Sequence, residues 1–247
     1  MLAGEIYDYI DSIAPFSGQA EWDNSGFLVG ERSASADRIL FALDATPQVI
    51  EEAAKKECAL LVTHHPILFS AVKAFTESDP AYLAAKCGVS VICAHTSYDF
   101  AVNGVADVLA EKVELTGVHA SECGEFRIGR TECITAQDFA QKAKAVLHAP
   151  VFVALPQKQV RIVAVCGGAG ASFLQAAKEQ GADLLFTGEA KHHEMLEAAA
   201  LDIALVTAGH FETEHPAVRA LCKRIQAAFP DTVCLLSEQT SPMQIIE

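Results

Sequence analysis

Short runs of apolar residues alternate with amphipathic segments along most of the chain. Continuous apolar runs are typical of strands that are buried on both faces of a sheet. Thr46-Pro47 and Asp79-Pro80 each place a capping side chain directly before a proline, which predicts the start of a helix at both points. The strands predicted in this part of the chain are residues 38–43, 59–62 and 89–93, and the predicted helices are residues 46–57, 79–88 and 104–113.

A second series of the same kind begins at Arg161. Its predicted strands are residues 161–166, 183–186, 202–206 and 232–236, and its predicted helices are residues 172–180, 190–200 and 213–228. Repetition of strand, helix and strand predicts an α/β protein with mostly parallel sheets flanked by helices. The segment AAKKECALLVTHH (53–65) also resembles AAKEQGADLLFTGE (176–189), which favours two related α/β halves.

We expect the two halves to form separate domains. Glycines occur repeatedly in residues 114–131, which makes this stretch the predicted junction. The last helix and strand are expected to pack on the N-terminal half. The first domain is therefore predicted to comprise residues 1–120 together with 206–247, and the second to comprise residues 121–205.

Composition and charge narrow the class of protein. The chain has 247 residues, of which 51% are hydrophobic and 20% are charged, so it can bury a substantial core. Its net charge of -14 argues against an extended surface for nucleic acid. The eight cysteines form no C-x-x-C pair, and no secretory signal or membrane-spanning apolar stretch is present in the sequence. We expect a soluble, reduced, cytoplasmic protein with no membrane partner.

Potential metal ligands follow three of the predicted strands. These residues are His64 and His65, then His95 and Asp99, and then His210 and Glu214. The carboxyl ends of parallel strands form the ligand crevice of an α/β sheet, so the three strand ends can converge. Imidazole nitrogens and carboxylate oxygens bind zinc, iron, manganese and similar ions. The pattern therefore favours a metal site.

Each of these residues also has a simpler interpretation. His95 alone is typical of a hydrogen-bonded core residue, Asp99 of a helix cap, and Glu214 of an acid in the first turn of a helix. The adjacent pair His64-His65 is harder to explain without a ligand. Neighbouring side chains of an extended backbone point to opposite sides, so a pair of metal ions is one candidate occupant.

Ordered motifs over nearly the whole chain are similar to those of the NIF3-like family, whose members are also called GTP cyclohydrolase 1 type 2 homologues. The matching motifs are Glu21-Trp22-Asp23-Asn24-Ser25-Gly26 with Val29-Gly30, Thr63-His64-His65-Pro66, His95-Thr96 with Asp99, Thr187-Gly188-Glu189 with His192-His193, and Gly209-His210 with Glu212-Thr213-Glu214. The family has Gly-Asp where this chain has Gly188-Glu189, so the reach of the longer Glu189 carboxylate differs from that of the family residue.

The resemblance implies a two-domain α/β fold, a dinuclear metal site at the crevice between the halves, and a ring-shaped homohexamer. Each subunit would bind two divalent metal ions, which could be zinc, iron, manganese or nickel. The positions that match the family's ligands are His64, His65, Asp99, His210 and Glu214. His95 and His193 match positions near the site and are candidate proton shuttles.

Two functions remain open from the sequence. The first is a metal-dependent hydrolase of a small molecule, such as a nucleotide-like or cyclic-amide compound. GTP cyclohydrolase activity follows from the family label alone, because the sequence shows no guanine-reading motif. The second is a non-enzymatic metal-binding protein with a regulatory, chaperone or scaffold role.

Two further motifs have alternative interpretations. Trp22 is either a core residue or, by the resemblance, a residue that borders the site. The segment CGGAGAS (166–172) either binds an anion at a helix N-terminus or forms a tight turn from strand to helix. We favour the turn, because the segment lacks the Gly-Lys-Ser/Thr of a phosphate-binding loop.

Overall fold

The computed structural model describes residues 1–243. Its helices and strands to residue 112 are α1 (Ala3–Ile13), β1 (Gly26–Val29), β2 (Arg38–Ala42), α2 (Pro47–Lys55), β3 (Leu60–Thr63), α3 (Pro80–Lys86), β4 (Ser90–Cys93), α4 (Thr96–Phe100) and α5 (Val105–Lys112). Those that follow are β5 (Thr116–Ala120), β6 (Arg127–Thr135), α6 (Ala136–Leu147), β7 (Phe152–Ala154), β8 (Gln159–Val165), α7 (Leu174–Glu179), β9 (Leu184–Thr187), α8 (His192–Ala200), β10 (Ala204–Thr207), α9 (His210–Ala228) and β11 (Val233–Leu236).

The chain divides into two compact units. The first comprises Met1–Val102 with Ala217–Thr240, and the second comprises Asn103–Pro216 with the described residues 241–243. Helix α5 belongs to the second unit, where it packs against β6 and β8. The predicted division at residues 121 and 206 differs from this one at both boundaries. No helix within residues 1–243 is both long enough and apolar enough to cross a bilayer.

The first unit contains a five-stranded sheet in the order β1-β4-β3-β2-β11 within the described residues. Strands β4, β3, β2 and β11 pair in parallel, and β1 adds an antiparallel edge. Strands β3 and β4 are buried along their whole length, as their continuous apolar sequences predict. The final strand pairs with β2, so the expectation that it returns to the N-terminal half is confirmed.

The helices of the first unit begin where the capping residues predict. The Thr46 hydroxyl accepts a hydrogen bond from Val49 N at 3.3 Å, and Pro47 occupies the first helical position of α2. The Asp79 carboxylate caps α3 in the same way, with Ala81 N as donor at 2.9 Å. Helix α2 then packs Ile50 into a core with residues of β2, β3 and β4.

The second unit contains a mixed sheet in the order β5-β6-β8-β9-β10-β7 within the described residues. Strands β8, β9 and β10 pair in parallel. The other pairs, formed by β5, β6 and β7, are antiparallel. The expected α/β architecture with two sheets is confirmed, while mostly parallel pairing holds for the first sheet and only for the centre of the second.

Residues 114–131, predicted as a junction, contain an antiparallel pair of strands within the second unit. Strand β5 pairs with β6, and Thr116 lies opposite Arg130. Gly117 and Gly124 adopt positive φ angles of 60° and 82°. These glycines therefore mark an irregular strand and a hairpin turn rather than a linker.

Candidate metal centre

The paired histidines of the first unit directly continue strand β3. His64 N donates to Ala42 O at 3.3 Å and His65 N donates to Leu43 O at 2.9 Å, so the backbone remains paired with the last residue of β2 and the residue after it. On the other side, Ala94 N donates to Thr63 O at 2.9 Å. Both imidazoles are thus held at the carboxyl end of parallel strands, as the sequence predicts.

The Nδ1 atom of each ring in this region has a defined partner. It lies 2.9 Å from Ala94 O in His64, 2.6 Å from Asp44 Oδ1 in His65, and 2.7 Å from Asp23 Oδ1 in His95. A carbonyl or carboxylate at Nδ1 fixes the tautomer that carries its proton there and directs Nε2 toward a ligand.

His64, His65 and His95 form one group of potential metal ligands. Their ring centroids are 5.1 to 5.5 Å apart, and each residue offers a ligand atom within 4.8 Å of the others. Asp99 Oδ1 lies 3.5 Å from His64 Nε2. Four of the predicted site residues are therefore brought together within the first unit.

Two carboxylates that support this group were not among the predicted site residues. Asp44 accepts from Gln239 Nε2 at 2.9 Å as well as contacting His65. Asp23 is fully buried at its side chain and accepts from Ser25 Oγ at 2.8 Å and from Thr96 N at 3.0 Å. A signal was present in the sequence, because Asp44 follows the strand beside the histidine pair and Asp23 lies in the Glu21–Gly26 motif.

The environment of Asp23 favours its ionised form. Burial alone would raise the pKa of this carboxyl group, but hydrogen bonds from His95, Thr96 and Ser25 outweigh burial and hold the pKa well below its usual range. A permanently charged carboxylate at Nδ1 stabilises the His95 ring in one orientation.

The second unit holds His210 and Glu214 one turn apart on the same helix. The sequence predicted that this helix begins at residue 213, but α9 begins at His210. His210 Nε2 lies 3.1 Å from Glu214 Oε2, and His210 Nδ1 lies 3.0 Å from Glu189 Oε1. The longer carboxylate at position 189 therefore reaches the ring. The Glu214 side chain is 5% exposed, compared with 32% for His210.

The glycine-rich segment 166–172 provides clearance for these two side chains. Gly168 has a φ angle of 56°, and a Cβ atom there would overlap Glu214 Oε1 and lie 2.9 Å from His210 Nε2. Gly168 N donates to Thr213 Oγ1 at 3.1 Å, and Gly170 N donates to Thr187 Oγ1 at 2.9 Å. Because these amides already have hydroxyl partners, the segment is a tight turn rather than an anion site.

His193 and Trp22 are both exposed. His193 is exposed in the first turn of α8, and among the described residues no group of potential metal ligands includes it. Trp22 is 62% exposed, so it is not a core residue. Its ring centroid lies 5.8 Å from that of His95, which puts it at the border of the histidine group.

The histidine group and the neighbouring Asp99 fit a divalent metal ion. The histidine group combines clustered imidazoles with acceptors at Nδ1, which is the usual support of metal-binding histidines. The mixture of nitrogen and oxygen donors suits zinc, iron, manganese or nickel.

The chain is similar to known proteins over nearly its whole length. The family model for Duf34/NIF3 (NGG1p interacting factor 3) matches residues 1–242. The chain belongs to this family. A GTP cyclohydrolase 1 type 2 homolog of Clostridium acetobutylicum is 30% identical over 91% of the chain and 89% of the relative. A Protein NIF3 homolog of Schizosaccharomyces pombe is 32% identical over 92% and 90%, respectively.

Solved structures of similar fold cover the whole chain. The hypothetical protein SA1388 of Staphylococcus aureus superposes with a TM-score of 0.91 at 23% identity, over 100% of this chain and 99% of that one. Reduced HcgD from Methanocaldococcus jannaschii gives a TM-score of 0.84 at 26% identity, over 97% and 98% of the two chains. These similarities confirm the NIF3-like fold that the motifs predict.

Proposed function

We propose that this NIF3-family protein is a hydrolase that uses two divalent metal ions on a small molecule with a nucleotide-like or cyclic-amide group. The observation that carries the proposal is the pair of His64 and His65, in which each Nδ1 has its own acceptor, with His95 held beside them by Asp23. A hydrogen-bond acceptor at Nδ1 is typical of imidazoles that bind a metal through Nε2.

The proposal assigns five ligands to the two ions. They are His64, His65, Asp99, His210 and Glu214. The two histidines of the pair would serve different ions, since side chains alternate in direction at the end of a strand. Glu214 would be shared by both ions, because one carboxylate offers two oxygens. When bound, the ions would lower the pKa of water and polarise the bond that is attacked.

The chain's own residues would orient and move the proton. Asp23 holds His95 through Nδ1 at 2.7 Å, so Nε2 is the atom that would accept a proton and return it to the leaving group. The exposed His193 is the second proposed shuttle and would exchange protons with solvent. Trp22 and Phe69, with ring centroids 5.8 and 6.0 Å from that of His95, would limit water on one side of the ring.

We also propose a closed homo-oligomer, a hexamer, in the cytoplasm. The mean hydropathy is +0.24 for an acidic chain, and large apolar side chains such as Leu196 and Met243 are each 59% exposed. All eight cysteines are free thiols, as a reducing compartment permits. Light scattering at micromolar concentration tests the assembly, and a monomer mass would contradict it.

A metabolite screen tests the proposed activity. The protein, stripped of metal and reloaded separately with zinc, iron, manganese or nickel, is incubated with nucleotides, including GTP, and with cyclic amides. We expect turnover with at least one metal and its loss in Glu214→Gln. Metal binding without turnover in every arm would favour the alternative, a metal-binding regulatory, chaperone or scaffold protein.

A further inference from the structure

A group of exposed aromatic side chains lies beside the histidine group of the first unit. Trp22, Phe69 and Phe75 are 62%, 57% and 55% exposed. Phe69 and Phe75 belong to the connection between β3 and α3, and Trp22 belongs to the connection between α1 and β1. Exposed aromatic side chains that cluster in this way mark a binding surface more often than isolated ones do.

The rings of this group are arranged around His95. The Trp22 and Phe69 centroids are 5.8 Å apart, and they lie 5.8 and 6.0 Å from the His95 centroid. The interplanar angles to His95 are 72° and 68°, so both rings contact it at an edge. A ligand in contact with Trp22 or Phe69 would therefore lie beside a residue of the candidate metal group.

The shape of this region fits a small molecule. A groove of about 440 Å³ is lined by Asp23, Asn24 and residues of the β3–α3 connection that include Phe69 and Phe75. This volume lies in the range of about 300–1,000 Å³ that small-molecule sites occupy. Asn24 Nδ2 donates to Leu68 O, which ties the two walls of the groove together.

The residues that line the groove indicate which chemical group of a ligand it would bind. Aromatic faces bind planar rings by stacking, and the side-chain amide of Asn24 at one end of the groove can contact polar atoms on a ring edge. No lysine or arginine lines this groove in the described part of the chain. A phosphate group is therefore disfavoured here, whereas a planar heteroaromatic ring is favoured.

We infer that this groove binds the planar heteroaromatic ring of the substrate. The stacking residues are Phe69, which lines the groove, and Trp22, whose ring centroid lies 5.8 Å from that of Phe69. The inference rests on the proposed function for the reaction itself, and it adds the class of substrate and the residues that recognise it. Trp22 and Phe69 determine specificity in this account and take no part in proton transfer.

Ligand binding can be followed by tryptophan fluorescence, because Trp22 is the single tryptophan of the chain. Zinc-loaded protein is titrated with adenosine, guanosine and nicotinamide, and with ribose and ribose 5-phosphate as controls without the ring. Zinc is used because it is redox-inactive. We expect a saturable change in tryptophan fluorescence with at least one ring compound, and none with either control.

A matched pair of variants tests the stacking residues. Phe69→Leu keeps an apolar side chain but removes the aromatic face, and it should weaken ring binding on the order of tenfold. Phe152→Leu makes the same change at a position that is 68% exposed in the second unit, and it should leave ring binding unchanged. Bound metal, measured by elemental analysis, should be equal in both variants and the wild type.

The outcomes separate this inference from the proposed hydrolysis. Absence of saturable binding by every ring compound, or equal affinities in the two variants, would overturn the inference. A response to ribose 5-phosphate equal to that of the nucleosides would also overturn it. If ring binding is found but the metabolite screen detects no turnover, the groove is supported and the hydrolase proposal fails.

Discussion

The histidine group of the first unit and the His210–Glu214 turn of the second unit hold metal-binding side chains in different ways. In the first unit, the acceptors at Nδ1 come from distant parts of the chain, such as Asp23 for His95 and Asp44 for His65. In the second unit, His210 also has a distant acceptor at Nδ1, Glu189, but His210 and Glu214 lie one turn apart on α9 and the neighbouring glycines leave them space.

This difference determines which substitutions should damage each region. The imidazoles of the histidine group are oriented by hydrogen-bond acceptors at Nδ1, so metal binding there should be sensitive to removal of an acceptor. The His210–Glu214 turn packs closely against Gly168, so it should be sensitive to a larger side chain at that position.

Adding one methyl group at Gly168 should strongly destabilise the second unit. A Cβ atom there would overlap Glu214 Oε1, and the φ angle of 56° is unfavourable for alanine. We expect Gly168→Ala to lower the free energy of unfolding by about 3 kcal/mol, measured by urea denaturation.

Gly181→Ala is the matched control for this variant. Its φ angle is 81°, but a Cβ atom there would meet nothing within 4 Å. This control should cost only about 1 kcal/mol, from the backbone conformation. Equal losses in the two variants would show that clearance around Glu214 is not the cause.

Removing the charge of Asp44 should weaken metal binding without unfolding the protein. Asp44 contacts His65 Nδ1 at 2.6 Å, and its other oxygen accepts from Gln239 Nε2. We expect Asp44→Asn to reduce metal affinity by about 10- to 100-fold, measured by competition with a chelating dye. Asp8→Asn, at a surface ion pair with Arg32, should leave the affinity unchanged. An unaltered affinity in Asp44→Asn would remove this carboxylate from the account.

A smaller loss is expected when the hydroxyl group of Thr213 is removed. Thr213 Oγ1 accepts from Gly168 N at 3.1 Å, and the residue is buried. Thr213→Val keeps the shape of the side chain but leaves a buried N–H group without this acceptor, which should cost about 1–2 kcal/mol in urea denaturation. Thr116→Val, on the exposed strand β5, should cost less than about 0.5 kcal/mol. Equal stability of the two variants would contradict this role of Thr213.

The elements that the sequence predicted well are those with strong local signals. Capping residues before Pro47 and Pro80 predicted the starts of α2 and α3, and continuous apolar runs predicted β3 and β4. The β5–β6 pair was missed, because its glycines are equally typical of a linker and because all of β5 is exposed. Such a strand lacks the apolar alternation that reveals a half-buried edge.

The site shows the same distinction between local and distant interactions. The spacing of His210 and Glu214 predicted one helical turn, which the structure contains, although α9 begins three residues earlier than predicted. The contacts of Asp23 with His95 and of Asp44 with His65 cross 72 and 21 residues of sequence, so no local pattern encodes them. They depend on the pairing of strands in the first sheet.

Metal analysis of three variants tests the central claim that the paired histidines and Glu214 ligate two ions. After reconstitution with zinc and removal of excess metal, His64→Ala and His65→Ala should each lose one of two bound ions, and Glu214→Gln should lose both. Glu214→Gln has the larger effect because it removes the negative charge that two neighbouring cations would share. His119→Ala, at an exposed histidine of β5, should keep full occupancy. Full metal content in both His64→Ala and His65→Ala would contradict the account.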